Sequence, residues 1–94
     1  MINLMYSNFF VGYMVILQKR IMERLTELKT NLERRVVDIT AEGALRERLL
    51  EMGLAPGRSV RRLGSLPLGG PTIIQAGSLF LALRRHEAES VWVE

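Results

Sequence analysis

The 94-residue chain carries a single histidine, His86, with Glu87 and Glu89 close behind it. An imidazole and two carboxylates suggest a metal centre, but such a centre needs about four ligands held in fixed geometry. Donors crowded onto one exposed turn supply at most a weak surface contact, and a solvated turn explains the pattern, so no metal site is expected. "LLEMGLAPG", residues 49–57, places Gly53 and Gly57 where a phosphate loop might be sought. That chemistry needs a glycine-rich turn feeding a helix N-terminus with a lysine behind it. Here the glycine follows a helical run and precedes a strand, which makes Gly53 a helix stop and Pro56-Gly57 a turn. None of the serines lies in a nucleophile elbow or beside a base. The chain has no cysteine, which removes thiolate nucleophiles, disulfides, iron–sulfur clusters and cysteine zinc sites. No catalytic residue and no cofactor are expected, and the chain reads as a non-enzyme.

The arginine doublets Arg61-Arg62 and Arg84-Arg85 could line an anionic groove. Aromatic residues are not interleaved with them, and the net charge is only +3, so nucleic acid is not an expected partner. "SLPLGGP", residues 65–71, is the more informative segment, because it places Leu66 and Leu68 on a loop constrained by proline and glycine. Such a loop loses little conformational entropy on binding, and each Å² of apolar surface that a partner covers is worth about 25 cal/mol. The alternative is that both leucines fold back to plug the open end of the domain.

The elements that would carry these residues follow from periodicity. "RRVVDI" (34–39), "SVRRLG" (59–64), "TIIQA" (72–76), "LFLALR" (79–84) and "VWVE" (91–94) read as five short strands. The second, less apolar than the first, is expected at an edge or strongly exposed on one face. In the fourth, Leu79, Leu81 and Leu83 are expected to alternate inward; Phe80 and Trp92 lie on the other faces of their strands. "ALRERLLEM" (44–52) reads as a helix with Leu45, Leu49 and Met52 on one face, and "RHEAES" as one helical turn. Glu87 and Glu89 then serve as solvating charges. Five strands with one inserted helix argue for a small, partly open β-barrel.

Upstream, Phe10, Met14, Leu17, Ile21, Leu25, Leu28 and Leu32 recur at steps of three or four, the stripe of a helix that Asn8 could cap. Asn3, Ser7 and Asn8 interrupt the apolar run, so it does not read as a membrane span, and Lys19 and Arg20 follow the run where a signal peptide would place charge before it. The chain thus divides into a helical extension, residues 1–23, and a β domain, residues 24–94. The stripe would be buried on its own domain, on a second copy of the chain as a homo-oligomer, or on a membrane surface, in that order.

Taken in order, "GALRERLLEMGLAPG", "PLGGP", "LALRRHEAE" and the terminal "VWVE" resemble the ferrous iron transport protein A (FeoA) family, over roughly residues 25–94. The resemblance implies an SH3-like barrel and a non-enzymatic, cytoplasmic accessory of bacterial ferrous iron uptake. It would dock on the cytoplasmic, GTPase-containing part of the membrane transporter ferrous iron transport protein B. Related domains end iron-dependent repressors, which implies as the alternative a regulatory or peptide-binding domain. Matching positions include Leu49, Leu50, Met52, Gly53, Pro67, Leu68, Gly69, Leu81, Leu83 and Glu87. The long N-terminal helix and His86, where a helix-capping serine is more usual, depart from the pattern. The expected partner-binding residues are Leu66, Pro67, Leu68 and Gly69 on the loop, with Met52 and Leu54 at the helix end.

Overall fold

Val36, Val37 and Ile39 suit a pleated, half-buried surface, yet the two that are fully buried, Val36 and Ile39, lie three apart and not two. A computed structural model, which describes residues 22–94, explains the spacing. Strand β2 (Glu33–Ile39) pairs with β3 (Ser59–Ser65) through its first half and with β6 (Val91–Val93) through its second, and its register slips between Val36 and Asp38. The extra residue, Val37, is a bulge, and it lets Val36 and Ile39 both point into the core. A second slip lies between Arg62 and Gly64 of β3, opposite β4 (Thr72–Ala76).

A two-residue strand β1 (Glu23–Arg24) and the edge strand β5 (Leu79–Leu83) complete one antiparallel sheet in the order β1-β6-β2-β3-β4-β5. Among the described residues the strands therefore number six rather than five, and the sheet, expected as a partly open barrel, does not close. The additional strand arises where a helix was expected. Leu25 and Leu28 are both fully buried, but by a 3₁₀ turn, Leu25–Glu27, that follows β1. Asn31 then adopts φ +66 and donates its N–H to the Arg62 carbonyl, 2.8 Å away, which ends any helical path, and Leu32 is exposed. Steps of three or four fit buried residues on a 3₁₀ turn as well as on a helix. Asn8 and the stripe from Phe10 to Ile21 lie outside the described residues.

Helix α1 (Gly43–Glu51) stops as a Schellman motif: the Leu54 N–H bonds the Leu49 carbonyl at 3.1 Å, the Gly53 N–H bonds the Leu50 carbonyl at 3.0 Å, and Gly53 takes φ +93. The motif is commonly sealed by an apolar contact between the residues at its two ends, and Leu49 and Leu54 are both fully buried in the same cluster. β3 is not at an edge; it lies between β2 and β4. In β5, inward alternation holds only toward its end, where Leu83 is buried; Leu79 is exposed.

Helix α2 (Arg85–Glu89) is one turn long, with Arg84 as its N-cap and His86 inside it, not at the cap. Glu87 is not a solvating charge but is 2% exposed. Its carboxylate accepts the Arg84 N–H at 2.8 Å and faces the Arg48 guanidinium of α1 at 3.5 Å, pinning one helix to the other. Glu87→Ala leaves that N–H without its acceptor and is expected to lower stability by about 1–3 kcal/mol. The thermal midpoint measured by circular dichroism should fall by several degrees.

Candidate functional site

The loop at residues 66–71 joins β3 to β4 and is closed by its own backbone: the Leu66 N–H bonds the Pro71 carbonyl at 2.9 Å and the Gly70 N–H bonds the Pro67 carbonyl at 3.2 Å. Both central residues of the turn, Leu68 and Gly69, have positive φ, +60 and +72. Such turns select glycine, asparagine or aspartate, because a branched side chain in the left-handed region costs about 1–2 kcal/mol. Leu68 nevertheless occupies the position, and its side chain is completely exposed at the tip. Leu66 is half exposed. Neither leucine plugs the end of the sheet, so the fold-back alternative is set aside.

Beside the loop runs a groove of about 390 Å³, with Thr26 and Glu27 on one wall, Leu66 and Gly70 on the other, and Arg85 and Glu89 of α2 at its side. Arg85 and Glu89 are paired to each other at 3.0 Å. Thr26 and Glu27 were not anticipated as groove residues because they read as part of a helix. The polar run Lys29-Thr30-Asn31 was the available signal that the helix could not continue through them.

The helix end does not join this surface. Leu54 is a fully buried core residue, and Met52 is partly buried against the same core. Their segment leads into the start of β3 while the loop leaves its end. The seven-residue strand between them spans about 20 Å. Leu54 is thereby corrected from a contact residue to a packing residue, a role that the Schellman motif dictates.

The arginine doublets are dispersed. Arg62 bonds the Leu28 carbonyl and Ser65, Arg84 takes part in the cap of α2 through its backbone N–H, Arg85 is paired, and Arg61 faces a separate cavity beside Glu33. Trp92 is half-buried with the Arg24 guanidinium 5.1 Å from its ring centre, whereas Phe80 stands exposed on the edge strand. His86 is exposed while Glu87 turns inward, and among the described residues no group of three or more histidines and carboxylates is placed to hold a metal ion. Among these residues, too, no helix is long and apolar enough to cross a membrane.

An open sheet of six short strands with a helix inserted between β2 and β3 and an apolar loop closed by its own hydrogen bonds defines a small SH3-like domain. Residues 23–94 match the FeoA domain, and the chain belongs to the FeoA family. It is 32% identical over 71 residues, 76% of its length, to a Fe(2+) transport protein A/Fe(2+) transporter FeoB fusion protein of Porphyromonas gingivalis. The chain spans about 8% of that relative. Among solved structures, it is similar to Stenotrophomonas maltophilia FeoA complexed with zinc, described as a prokaryotic SH3 domain protein. The identity is 34% and the TM-score 0.67, over 77% of this chain and 89% of that one. A manganese-dependent transcriptional repressor, 18% identical with a TM-score of 0.70 over 77% of this chain and 40% of its own, shares the fold.

Exposed and buried leucines of the expected contact set should separate cleanly in urea denaturation. Leu54→Ala is expected to cost about 2–5 kcal/mol. Leu68→Asn, which places a side chain that tolerates the left-handed region, should leave stability within about 0.5 kcal/mol of the starting protein or raise it.

Proposed function

We propose that the chain is a non-enzymatic accessory of bacterial ferrous iron uptake that works in the cytoplasm and is recruited to the membrane by its partner. That partner is the cytoplasmic, GTPase-containing part of the ferrous iron transporter FeoB, and the docking surface is the loop of residues 66–71. The partner is supported by one observation above others: in the Porphyromonas gingivalis relative, transport protein A and FeoB are one fusion protein. A fused pair keeps each module at high effective concentration beside the other, which benefits modules that work in contact.

The loop supports the surface. Leu66 and Leu68 offer apolar area on a backbone already closed by two hydrogen bonds, so docking orders little that is not ordered beforehand. The dispersed arginines do not form a phosphate-tracking stripe, and a protein surface suits the loop better than a nucleic acid does.

Titration of the full chain against the separately purified cytoplasmic domain of FeoB tests the reading. The starting protein should bind, and Leu68→Asp, at a position whose side chain touches no core residue, should weaken affinity by about tenfold or more. An unchanged affinity removes the loop from the interface. Absence of any binding by the starting protein removes the partner.

A further inference from the structure

Arg62 sits in the middle of β3, yet its side chain serves neither strand partner. One terminal nitrogen donates to the Leu28 carbonyl at 3.1 Å, and the other donates to Ser65 Oγ at 2.8 Å. Ser65 Oγ lies 3.1 Å from Thr72 Oγ1, and Thr72 is buried, so the chain of contacts ends on the first residue of β4. Ser65 and Thr72 flank the loop on its two sides. On the opposite side, Leu28 closes the 3₁₀ turn by donating its N–H to the Leu25 carbonyl at 3.4 Å, and the Asn31 N–H returns to the carbonyl of Arg62 itself at 2.8 Å. A single residue is thus bonded to both segments that border the groove, the one that carries Thr26 and Glu27 and the one that carries Leu66.

Two features mark this arrangement as more than packing. Arg62 Nε is buried without a hydrogen-bond partner among the described residues, so the side chain bears a desolvation cost at that atom while its two terminal nitrogens are used. The guanidinium is also a planar fork with fixed spacing, which can hold two acceptors at a set separation as a lysine ammonium cannot. The slip of register between Arg62 and Gly64 lies immediately before Ser65, so the ladder to β4 is interrupted where the loop base needs a firm position.

We propose that Arg62 is a positioning residue for the docking surface: it ties the base of the loop to the turn at residues 28–31 and so sets the angle of Leu66 and Leu68 and the width of the groove between the two walls. This rests on the docking reading above but does not need the partner to be tested. Arg62→Lys removes the fork, Ser65→Ala removes its anchor on the loop together with the contact to Thr72, and Ser65→Thr keeps the hydroxyl for both.

Native-state amide exchange on the full chain reads the loop directly through the Leu66 N–H, with the Leu54 N–H, bonded to the Leu49 carbonyl at the stop of α1, as the internal control. Arg62→Lys and Ser65→Ala should both speed exchange at Leu66 by about tenfold or more and leave Leu54 unchanged, because local openings far from the control are independent of it. Ser65→Thr should restore the original rate, and only Arg62→Lys should also speed exchange at Asn31. Affinity for the FeoB cytoplasmic domain should fall in the same two variants. If Arg62→Lys does not fold, the Ser65 pair decides. Unchanged exchange at Leu66 in Ser65→Ala, or equal acceleration at Leu54, overturns the positioning role. Faster exchange at Leu66 with unaltered affinity overturns the docking reading instead.

Discussion

Everything in this domain depends on β2 serving two partners within seven residues. Its first half belongs to the β3-β4-β5 meander and its second half to β6, and Val37 is the residue given up to make the change of direction. A regular strand would send Val36 and Ile39 to opposite faces. The bulge returns both to one face, where they join a cluster with Leu25 and Leu28 before it and Leu83, Val91 and Val93 after it. Bulges bend and twist a sheet, and this one, with the second slip between Arg62 and Gly64 of β3, contributes to the curvature of the fold. The open edges at β1 and β5 follow as well, because a sheet of such short strands curls without meeting itself.

A core this small leaves the remaining elements to be held by polar contacts rather than by buried area. α2 has five residues, too few to be stable on propensity. It is held from within by the Glu87 carboxylate on the Arg84 N–H and from outside by Arg48. Arg46 of α1 similarly donates to the Ile39 carbonyl at 2.6 Å, tying that helix to the end of β2, and Arg58 donates to the Ala76 carbonyl at 3.1 Å. Several arginines thus brace the backbone of their own chain. Eleven basic residues stand against ten acidic ones within residues 22–94, so little surplus is left there to make a basic surface.

Alternation and turn residues made β4, β5 and β6 legible, because each is flanked by glycine, proline or a cap and each reads on its own. α1 and its stop at Gly53 were legible for the same reason. What escaped was set by partners distant in sequence. Leu25 and Leu28 fit a helical stripe, and only the bond from Asn31 to Arg62 shows that the chain turns there. β3 looked like an edge strand because Arg61 and Arg62 are charged. It is central because Arg62 finds its acceptors on Leu28 and Ser65, which no local pattern announces. Glu87 was misjudged likewise, its burial depending on Arg48 thirty-nine residues earlier. At the candidate site the loop was visible as composition. Whether its leucines faced in or out depended on a backbone conformation that composition does not encode.

That conformation is what gives the loop its meaning. A leucine at φ +60 holds about 1–2 kcal/mol of unfavourable backbone energy. Its full exposure means that no folded contact offsets this cost. Glycine or asparagine at the same position would relieve the backbone without disturbing any packing, so folding alone favours their presence over leucine. Covering a leucine side chain completely returns about 1.5–3 kcal/mol, enough to exceed the strain, but only in a complex. Since the strain is present whether or not a partner is bound, docking does not have to generate it, and the gain appears in full as affinity. Strain kept at a site of recognition is tolerated when the surrounding structure over-determines the geometry. Here that role falls to the two loop hydrogen bonds and to the contacts of Ser65 and Thr72 at its base. A preformed, slightly disfavoured apolar tip thus suits the docking role proposed for the loop.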